Sequence, residues 1–140
     1  MGSRRAAREL ALQYLFGHEF QNKMTPKQWL HQYAEDFEVD SETAQFSCLL
    51  CDGVIEHKSQ IDPIIQGHSS HWKISRMSLV DVNILRLAVF EMHFSANPLE
   101  PKIIINEAIE IAKLYGTIDS SSFVNGIIDQ IAKSTNSTRV

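Results

Sequence analysis

Residues 78–92 read SLVDVNILRLAVFEM, and we expect the other helices to be arranged around them. Its apolar residues recur on every side of a helix, and a helix that is apolar all round must be surrounded by other helices. Ser78, followed three residues later by Asp81, resembles a capping box, which satisfies amide groups left unpaired at a helix start. Glu91 falls among apolar positions, so we expect it to need a partner from another helix. The stretch predicts a central helix that offers Asp81 or Arg86 at the surface.

The composition is that of one globular domain. The chain has 140 residues, of which 44% are hydrophobic, and this is enough to bury a core. No apolar run approaches the ~20 residues that a membrane span needs. The arginine-containing N-terminus does not resemble a secretory signal. We therefore expect a single domain, residues 1–140, in the cytoplasm.

The charge is unevenly distributed. Thirteen basic and seventeen acidic residues give a net charge of −4, which argues against a protein whose whole surface grips nucleic acid. Three arginines and no acid lie in the first eight residues, whereas residues 35–42 hold five acids and no base. Any contact with nucleic acid should therefore be local.

The first half of the chain shows helical spacing of its apolar residues. A first helix is predicted from Arg4 to about Glu19. Thr25-Pro26 marks the start of a second helix, Asp40 or Ser41 caps a third, and Asp62-Pro63 predicts a break. One face of the third helix is expected to be core, and it carries Phe46, Leu49, Leu50, Gly53, Val54 and His57.

The second half follows a largely polar segment, residues 67–76, which predicts a hinge between halves of about 1–70 and 71–140. Beyond the central helix, prolines make a loop at Asn97-Pro98 and Pro101. A helix is predicted from about Lys102 to Tyr115, and the last one starts between Asp119 and Ser122. Residues expected to face the core from the former are Ile104, Ala108, Ile111, Ala112 and Tyr115. No convincing strand or repeat is visible, so the class is all-α.

A zinc site is considered and rejected. Cys48 and Cys51 form a C-x-x-C, and His68 and His71 follow after sixteen residues, which is a near miss for a zinc-finger pattern. Both cysteines lie in a strongly helical stretch. They are therefore predicted to be reduced core residues and not metal ligands.

Motifs for catalysis are also missing from the sequence. No nucleophile elbow, P-loop or dinucleotide fingerprint occurs. Asn106-Glu107 with Glu110 could be imagined as an acid and a base, but exposed helix glutamates are the commoner explanation. Periodicity alone leaves a helical binding module or an enzyme with hidden chemistry.

The N-terminal arginines are the strongest sign of a ligand. Arg5 and Arg8 are predicted to lie with Phe16 on the side of the first helix that faces away from the core. Arginines contact phosphates and an aromatic ring stacks on an unpaired base, so the combination suits single-stranded RNA. The alternative is a solvated arginine face with Phe16 packed on a neighbouring helix.

Five strings make the chain recognisable. They are RRAARE at 4–9, ALQ at 11–13, ILRLAVFE at 84–91, INEAIEIAK at 105–113 and SFVNG at 122–126. In this order and spacing they resemble the NusB family of transcription antitermination factors over nearly the whole chain. The resemblance implies a compact bundle of about seven helices, arranged as two three-helix-bundle-like halves, with no enzymatic activity and no cofactor.

The resemblance also implies partners. Members of the NusB family bind the boxA element of nascent ribosomal RNA together with NusE, a small-subunit ribosomal protein. They join an antitermination complex on RNA polymerase and promote processive ribosomal RNA transcription. NusB-like domains fused to RNA methyltransferases are also known, but 140 residues leave no room for a cofactor-binding α/β domain. A helical protein–protein adaptor without RNA affinity remains the alternative.

Site residues are carried over by position. The RNA-binding residues implied are Arg4, Arg5, Arg8, Phe16, Asp119, Ser121 and Phe123. Those implied to face NusE are Arg76 and Asp81. Phe16 stands where the family commonly has tyrosine, so stacking is kept and any hydroxyl contact is lost.

The most family-like polar residues are interpreted as structural. They are Asn106, Glu107, Asn125 and Gly126. Polar residues within packed helices usually satisfy one another. Gly126 is also expected to allow close approach of another backbone.

Overall fold

The chain is a bundle of α-helices in the computed structural model, which describes residues 2–20, 23–96 and 98–138, with side chains for 4–20, 23–96 and 98–135. This part of the chain contains no strand, which confirms the all-α class. It has six α-helices, one fewer than the predicted number of about seven. They are α1 (Gly2–His18), α2 (Pro26–Phe37), α3 (Ser41–Gly67), α4 (Leu79–Val89), α5 (Pro101–Tyr115) and α6 (Ser120–Thr138).

Helix starts follow the capping residues of the sequence. Thr25 Oγ1 accepts from the Gln28 amide at 3.1 Å, and Gln28 Oε1 accepts from the Thr25 amide at 3.0 Å, so α2 begins with a full capping box. Asp40 caps α3, because its Oδ1 accepts from the Thr43 amide at 2.8 Å. Pro101 takes the first position of α5. Its neighbour in the predicted loop, Asn97, lies outside the described residues.

The predicted break at Asp62-Pro63 is wrong, because α3 continues through Pro63 to Gly67. An interior proline removes one helical hydrogen bond and costs ~3 kcal/mol or more. Ile61 and Ile65, on either side, are completely buried, and burying each isoleucine contributes about 1.5–3 kcal/mol. Packing on both sides therefore offsets the cost of the proline.

The central placement of α4 is confirmed. Every residue from 82 to 89 is buried, and α4 packs against α1, α3, α5 and α6. The helix ends in a π-helical turn, Phe90–Phe94, which the sequence did not predict. Gly53 of α3 lies against this turn, since a Cβ there would overlap the Phe90 ring. A glycine is thus required at 53 for α3 to approach the end of the central helix.

Arg86 does not lie at the surface as predicted. It is 5% exposed, and its guanidinium donates to Asp62 of α3 at 2.9 and 3.0 Å. A further hydrogen bond of 2.8 Å reaches Glu19, just beyond α1. A buried guanidinium is tolerated when its donors are satisfied by carboxylates. Arg86 therefore ties the central helix to α1 and α3.

Other predicted core positions are more exposed than expected. Leu49 is 51% exposed and Tyr115 is 41% exposed. Asn125 and Gly126 lie on the surface of α6, and a Cβ at Gly126 would meet nothing within 4 Å. The close backbone approach expected at Gly126 is therefore wrong.

The two predicted halves correspond to α1–α3 and to α4–α6, with the short 3-10 turn Ile74–Arg76 between them. Within the first group α3 packs on α1 and α2, and within the second each helix packs on the other two. The division at about residue 70 stays a prediction. Of the helices described, none is long and apolar enough to cross a membrane.

Candidate nucleic-acid interface

The three N-terminal arginines leave α1 towards three different neighbours. The Arg4 guanidinium carbon lies 4.3 Å from the centre of the Phe46 ring in α3. Arg5 Nε donates to Glu107 Oε2 of α5 at 2.8 Å. Arg8 reaches the π-turn that follows α4. The arginines therefore do not form the shared basic face that the sequence predicted.

Arg8 is the clearest correction, because it is 5% exposed and not on an open face. Its Nε and Nη2 donate to the two carboxylate oxygens of Glu91 at 2.7 and 2.8 Å. Burial lowers the pKa of Arg8, but the hydrogen bond and charge of Glu91 outweigh burial and raise the pKa above its ordinary value. The prediction that Glu91 needs a partner from another helix is confirmed, and Arg8 is that partner.

The burial of Arg8 had a signal in the sequence. Leu12 and Leu15 follow it by four and seven residues, which places both on the same side of α1. Both leucines are buried at 3% exposure. An arginine directly above two core leucines is therefore drawn into the core with them.

Arg4 and Arg5 remain available to a ligand. Both lie in the exposed first turns of α1. In the Arg5–Glu107 pair the side chains are 47% and 22% exposed, and solvent screens ion pairs at such positions so that they contribute little stability. Arg5 can therefore exchange its carboxylate partner for a phosphate at small cost.

Phe16 does not lie beside the arginines. Its ring is 39% exposed and packs on that of Phe20 at 5.3 Å between centroids. Arg5 and Phe16 fall on one face of α1, within about 20° on a helical wheel, but eleven residues separate them by about 16 Å. That distance corresponds to roughly five stacked nucleotides of a strand. A strand that used both residues would have to run along α1.

Tyr115 is a surface aromatic that the sequence reasoning missed. Its hydroxyl donates to Glu9 Oε1 of α1 at 2.8 Å. Burial, followed by that hydrogen bond and the charge of Glu9, raises the pKa of Tyr115. The sequence offered one sign of this exposure, because Tyr115 is the last residue of α5, where the row of residues facing the core ends. Because Glu9 lies between Arg5 and Phe16 in α1, Tyr115 is adjacent to the face that carries them.

The start of α6 holds the other predicted RNA-binding residues within one helical turn. Asp119 is exposed, and its carbonyl accepts from the Phe123 amide and from Ser122 Oγ, both at 3.1 Å. Ser121 is half-buried, and the half-buried Phe123 meets the Trp72 ring edge-on at 6.2 Å. Asp119 follows Tyr115 by four residues, so this turn adjoins the end of α5. Its carboxylate repels phosphate, whereas the helix start attracts it.

The predicted NusE-facing residues lie on one segment before and within the first turn of α4. Arg76 is exposed at the end of the 3-10 turn, and Asp81 is half-buried. Ser78 Oγ accepts from the Asp81 amide at 3.0 Å, which is half of the predicted capping box. Asp81 Oδ1 is buried without a hydrogen-bond partner among the described residues. Because this oxygen is enclosed by the protein, it is closed to a partner that docks on the surface.

The cysteines occupy core positions. Cys48 is half-buried and Cys51 is buried, with neither in a disulfide. Burial raises the pKa of the Cys51 thiol, which keeps it in the neutral form, whereas metals bind the thiolate. His68 Nδ1 donates to the Ile64 carbonyl at 2.8 Å. Over the described residues, no three or more histidines, cysteines or carboxylates are grouped to hold a metal ion.

Comparison with known proteins gives one consistent family. A profile of the NusB family matches residues 5–133. The transcription antitermination protein NusB of Bdellovibrio bacteriovorus is 49% identical over 131 residues, which cover 94% of this chain and 96% of that protein. The protein of the same name from Syntrophus aciditrophicus is 44% identical over 131 residues, covering 94% and 80%.

Solved structures agree with the sequence matches. T. maritima NusB superposes with a TM-score of 0.82 at 38% identity and covers 93% of this chain and 90% of that one. A second match is a chain from a crystal structure of the antitermination factors NusB and NusE in complex with double-stranded RNA. It superposes with a TM-score of 0.80 at 26% identity and covers 96% of this chain and 98% of that one.

Proposed function

The chain belongs to the NusB family, and from this premise we propose that it is an RNA-binding transcription antitermination factor. It binds the boxA element of nascent ribosomal RNA together with the ribosomal protein NusE. Within an antitermination complex on RNA polymerase it promotes processive transcription of ribosomal RNA. The observation that carries this proposal is the family match over residues 5–133, supported by the fold shared with a NusB that was solved with NusE and RNA.

The RNA path proposed here follows the exposed face of α1. Arg4 and Arg5 contact phosphates at one end, and Phe16 stacks on a base about 16 Å further along. Tyr115 lies between them at the side, where its half-exposed ring offers a second stacking surface. The start of α6 continues this surface, with Asp119, Ser121 and Phe123 as its predicted contacts.

Arg8 has a different role in this proposal from the one first predicted. Its guanidinium is occupied by Glu91 inside the protein, so it holds α1 in place and does not itself contact phosphate. Arg5 lies one helical turn before Arg8 on α1. We therefore treat Arg8 as a positioning residue for the RNA surface.

The local charge supports shared binding with a basic partner. Of the three arginines, Arg5 and Arg8 already pair with carboxylates, and the whole chain has a net charge of −4. Sequence-independent affinity for RNA comes from cations that neutralise phosphates. This surface alone offers few of them, so the ribosomal partner supplies the rest.

The proposed role is binding and not catalysis, and it needs no cofactor. The family to which the chain belongs acts on transcription, and we infer that the protein works in the cytoplasm with the nascent ribosomal RNA. Partner contact is proposed at Arg76 and Asp81, an exposed and a half-buried charged residue close together at the start of α4.

The proposal is tested by titrating boxA RNA with the protein and NusE at several salt concentrations. The variant is Arg4→Ala/Arg5→Ala, which leaves the buried Arg8 pair intact. On single strands each neutralised phosphate contributes a slope of about −0.7 to the salt dependence, so losing two contacts should flatten the slope by about 1.4. Affinity should fall at low salt and differ little at high salt.

The matched control is Lys58→Ala/Lys133→Ala, which removes two exposed positive charges from α3 and α6. Neither lysine is among the residues assigned to the proposed RNA path. The control should keep the wild-type slope. If the arginine variant binds with wild-type affinity and salt dependence, α1 is not the RNA site. The alternative, a helical protein–protein adaptor without RNA affinity, is then favoured.

A further inference from the structure

A groove in the first helical group is lined by none of the residues assigned to the proposed RNA path. It runs between α2 and the first half of α3 and has a volume of about 620 Å³. We propose that this groove, called the α2–α3 groove, binds an amphipathic helical segment of a protein partner, with aliphatic residues on one face and lysine or arginine beside them. Its walls and floor include Leu30, Ala34, Val39, Ala44, Cys48 and Leu49.

The groove is apolar and open. Leu30 is buried at 2% exposure and forms its floor, whereas Leu49 on the α3 wall is 51% exposed. Ala34 and Ala44 are short side chains on opposite walls, which leaves the space between the helices unfilled. Helix pairs with such an apolar channel accept a third helix through its aliphatic side chains. The sequence pattern predicts Leu49 on the core face of α3, yet the described part of the chain leaves about half of this residue exposed.

The charged residues around the groove indicate which kind of segment binds there. Residues 35–42, which span the end of α2, the connection and the start of α3, hold five carboxylates and no base. Glu35 lines the groove directly, and its Oε1 lies 3.2 Å from His31 Nε2. Lys27 lies at the opposite end of the groove. The end near the connection therefore attracts a positively charged segment.

The same charges disfavour other occupants. A phosphate backbone would meet Glu35 in the groove, with the rest of the acidic stretch beside it, and be repelled. A second copy packed about a two-fold axis would bring like surface patches together, which places one acidic stretch near the other. A basic amphipathic segment satisfies both the apolar walls and the acidic rim.

The first experiment uses defined peptides as probes. A fluorescein-labelled helical peptide of about 15 residues carries leucine and alanine on one face and lysine on the other, and a matched peptide has glutamate for every lysine. Fluorescence anisotropy measures binding of each peptide to the full-length protein. The lysine peptide should bind at least about tenfold more tightly than the glutamate peptide. Equal affinity of the two peptides, or no binding of the lysine peptide, overturns the proposal.

Location is tested with two matched variants. Leu49→Ser changes an exposed groove residue, and Leu114→Ser changes a leucine on α5 that is 65% exposed and outside the groove. The groove variant should weaken lysine-peptide binding by about tenfold, and the α5 variant should not change it. The reverse pattern, or no effect of Leu49→Ser, overturns the assignment to this groove.

Thiol protection supplies an independent readout. Cys48 lines the groove and is half-buried, whereas Cys51 is buried and serves as an internal reference. Bound lysine peptide should slow alkylation of Cys48, and unchanged alkylation contradicts the proposal. BoxA RNA should not displace the peptide, and displacement would mean that the groove belongs to the RNA site. Self-association of the wild type that Leu49→Ser abolishes would make a second copy the occupant and overturn the proposal.

Discussion

Arg8 and Glu91, which are 83 residues apart in sequence, form a buried two-point ion pair with N–O distances of 2.7 and 2.8 Å. The pair joins α1 to the π-turn at the end of the central helix. Arg8 and Glu91 are each 5% exposed, so neither charge has water as an alternative partner. An arginine that looked like part of an RNA-binding cluster is therefore part of the core.

Arg8→Ala should lower the free energy of unfolding by ~3–5 kcal/mol, because the buried Glu91 carboxylate loses its partner. The measurement is chemical denaturation of the purified protein. Arg5→Ala, which breaks the exposed Glu107 pair, should change stability far less, because solvent screens that pair. Replacing both partners, as Arg8→Met/Glu91→Leu, should restore much of the loss. Equal stability of the two single variants would show that the Arg8 pair is not buried in solution.

Phe16→Ala should weaken boxA binding by ~1–3 kcal/mol if a base stacks on the ring, and the salt slope should stay unchanged because no charge is removed. The assay is the same RNA titration with NusE at several salt concentrations. Phe37→Ala, which removes an exposed ring on α2, is the control and should bind as the wild type does. Equal losses in both variants would point to a general effect and remove Phe16 from the RNA path.

Asp81→Asn should weaken binding to NusE, and Asp81→Lys should weaken it more, because the second change turns attraction into repulsion opposite a basic partner. Asparagine keeps the shape of the side chain at the half-buried site. Isothermal titration calorimetry gives the affinities, and thermal unfolding reports whether each variant is folded. Wild-type affinity in a folded Asp81→Lys variant rules this residue out of the interface.

Cys48→Ala/Cys51→Ala should leave RNA and NusE binding intact, because neither thiol is predicted to hold a metal. Loss of the buried Cys51 sulfur should cost roughly 1 kcal/mol of stability through a small cavity. Elemental analysis of the wild-type protein should find no stoichiometric zinc. One zinc ion per chain, lost in the double variant, would overturn this prediction.

Leu87→Ala should cost ~2–5 kcal/mol, because Leu87 lies in the central helix at 4% exposure and the substitution leaves a cavity. Thermal unfolding is the measurement. A matched change at an exposed site, Leu114→Ala, should shift the transition little. A shift of less than a degree or so for Leu87→Ala would contradict the central position of α4.

Sequence reasoning succeeded where the cause is local. Thr25, Asp40 and Ser78 cap helices because a side-chain oxygen reaches an amide three residues ahead, and this geometry depends only on neighbours in sequence. The central helix was likewise visible in its own apolar pattern.

The failures have nonlocal causes. Pro63 stays inside α3 because Ile61 and Ile65 are packed by other helices, which local propensity cannot reveal. Arg8 was assigned to the outer side of α1 with Arg5 and Phe16, although Leu12 and Leu15 marked its side as core, and its partner Glu91 could not be identified from spacing alone. The need for a partner at Glu91 was predictable, whereas the choice of that partner depends on the tertiary fold.

The long-range partners of α1 have a consequence for the order of folding. Arg8 needs Glu91, Arg5 needs Glu107 and Glu9 needs Tyr115, so each bond waits for residues made at least 83 positions later. At a synthesis rate of about 5–20 residues per second, α1 spends roughly 4–17 s on the ribosome before Glu91 is made. α3, the main neighbour of α1, is complete by residue 67, so α1 can pack on α3 first and form these side-chain pairs later. We expect α1 to be fully fixed only when α4 and α5 arrive, which limited proteolysis of stalled nascent chains would detect as a further fall in cleavage within α1 once those helices emerge.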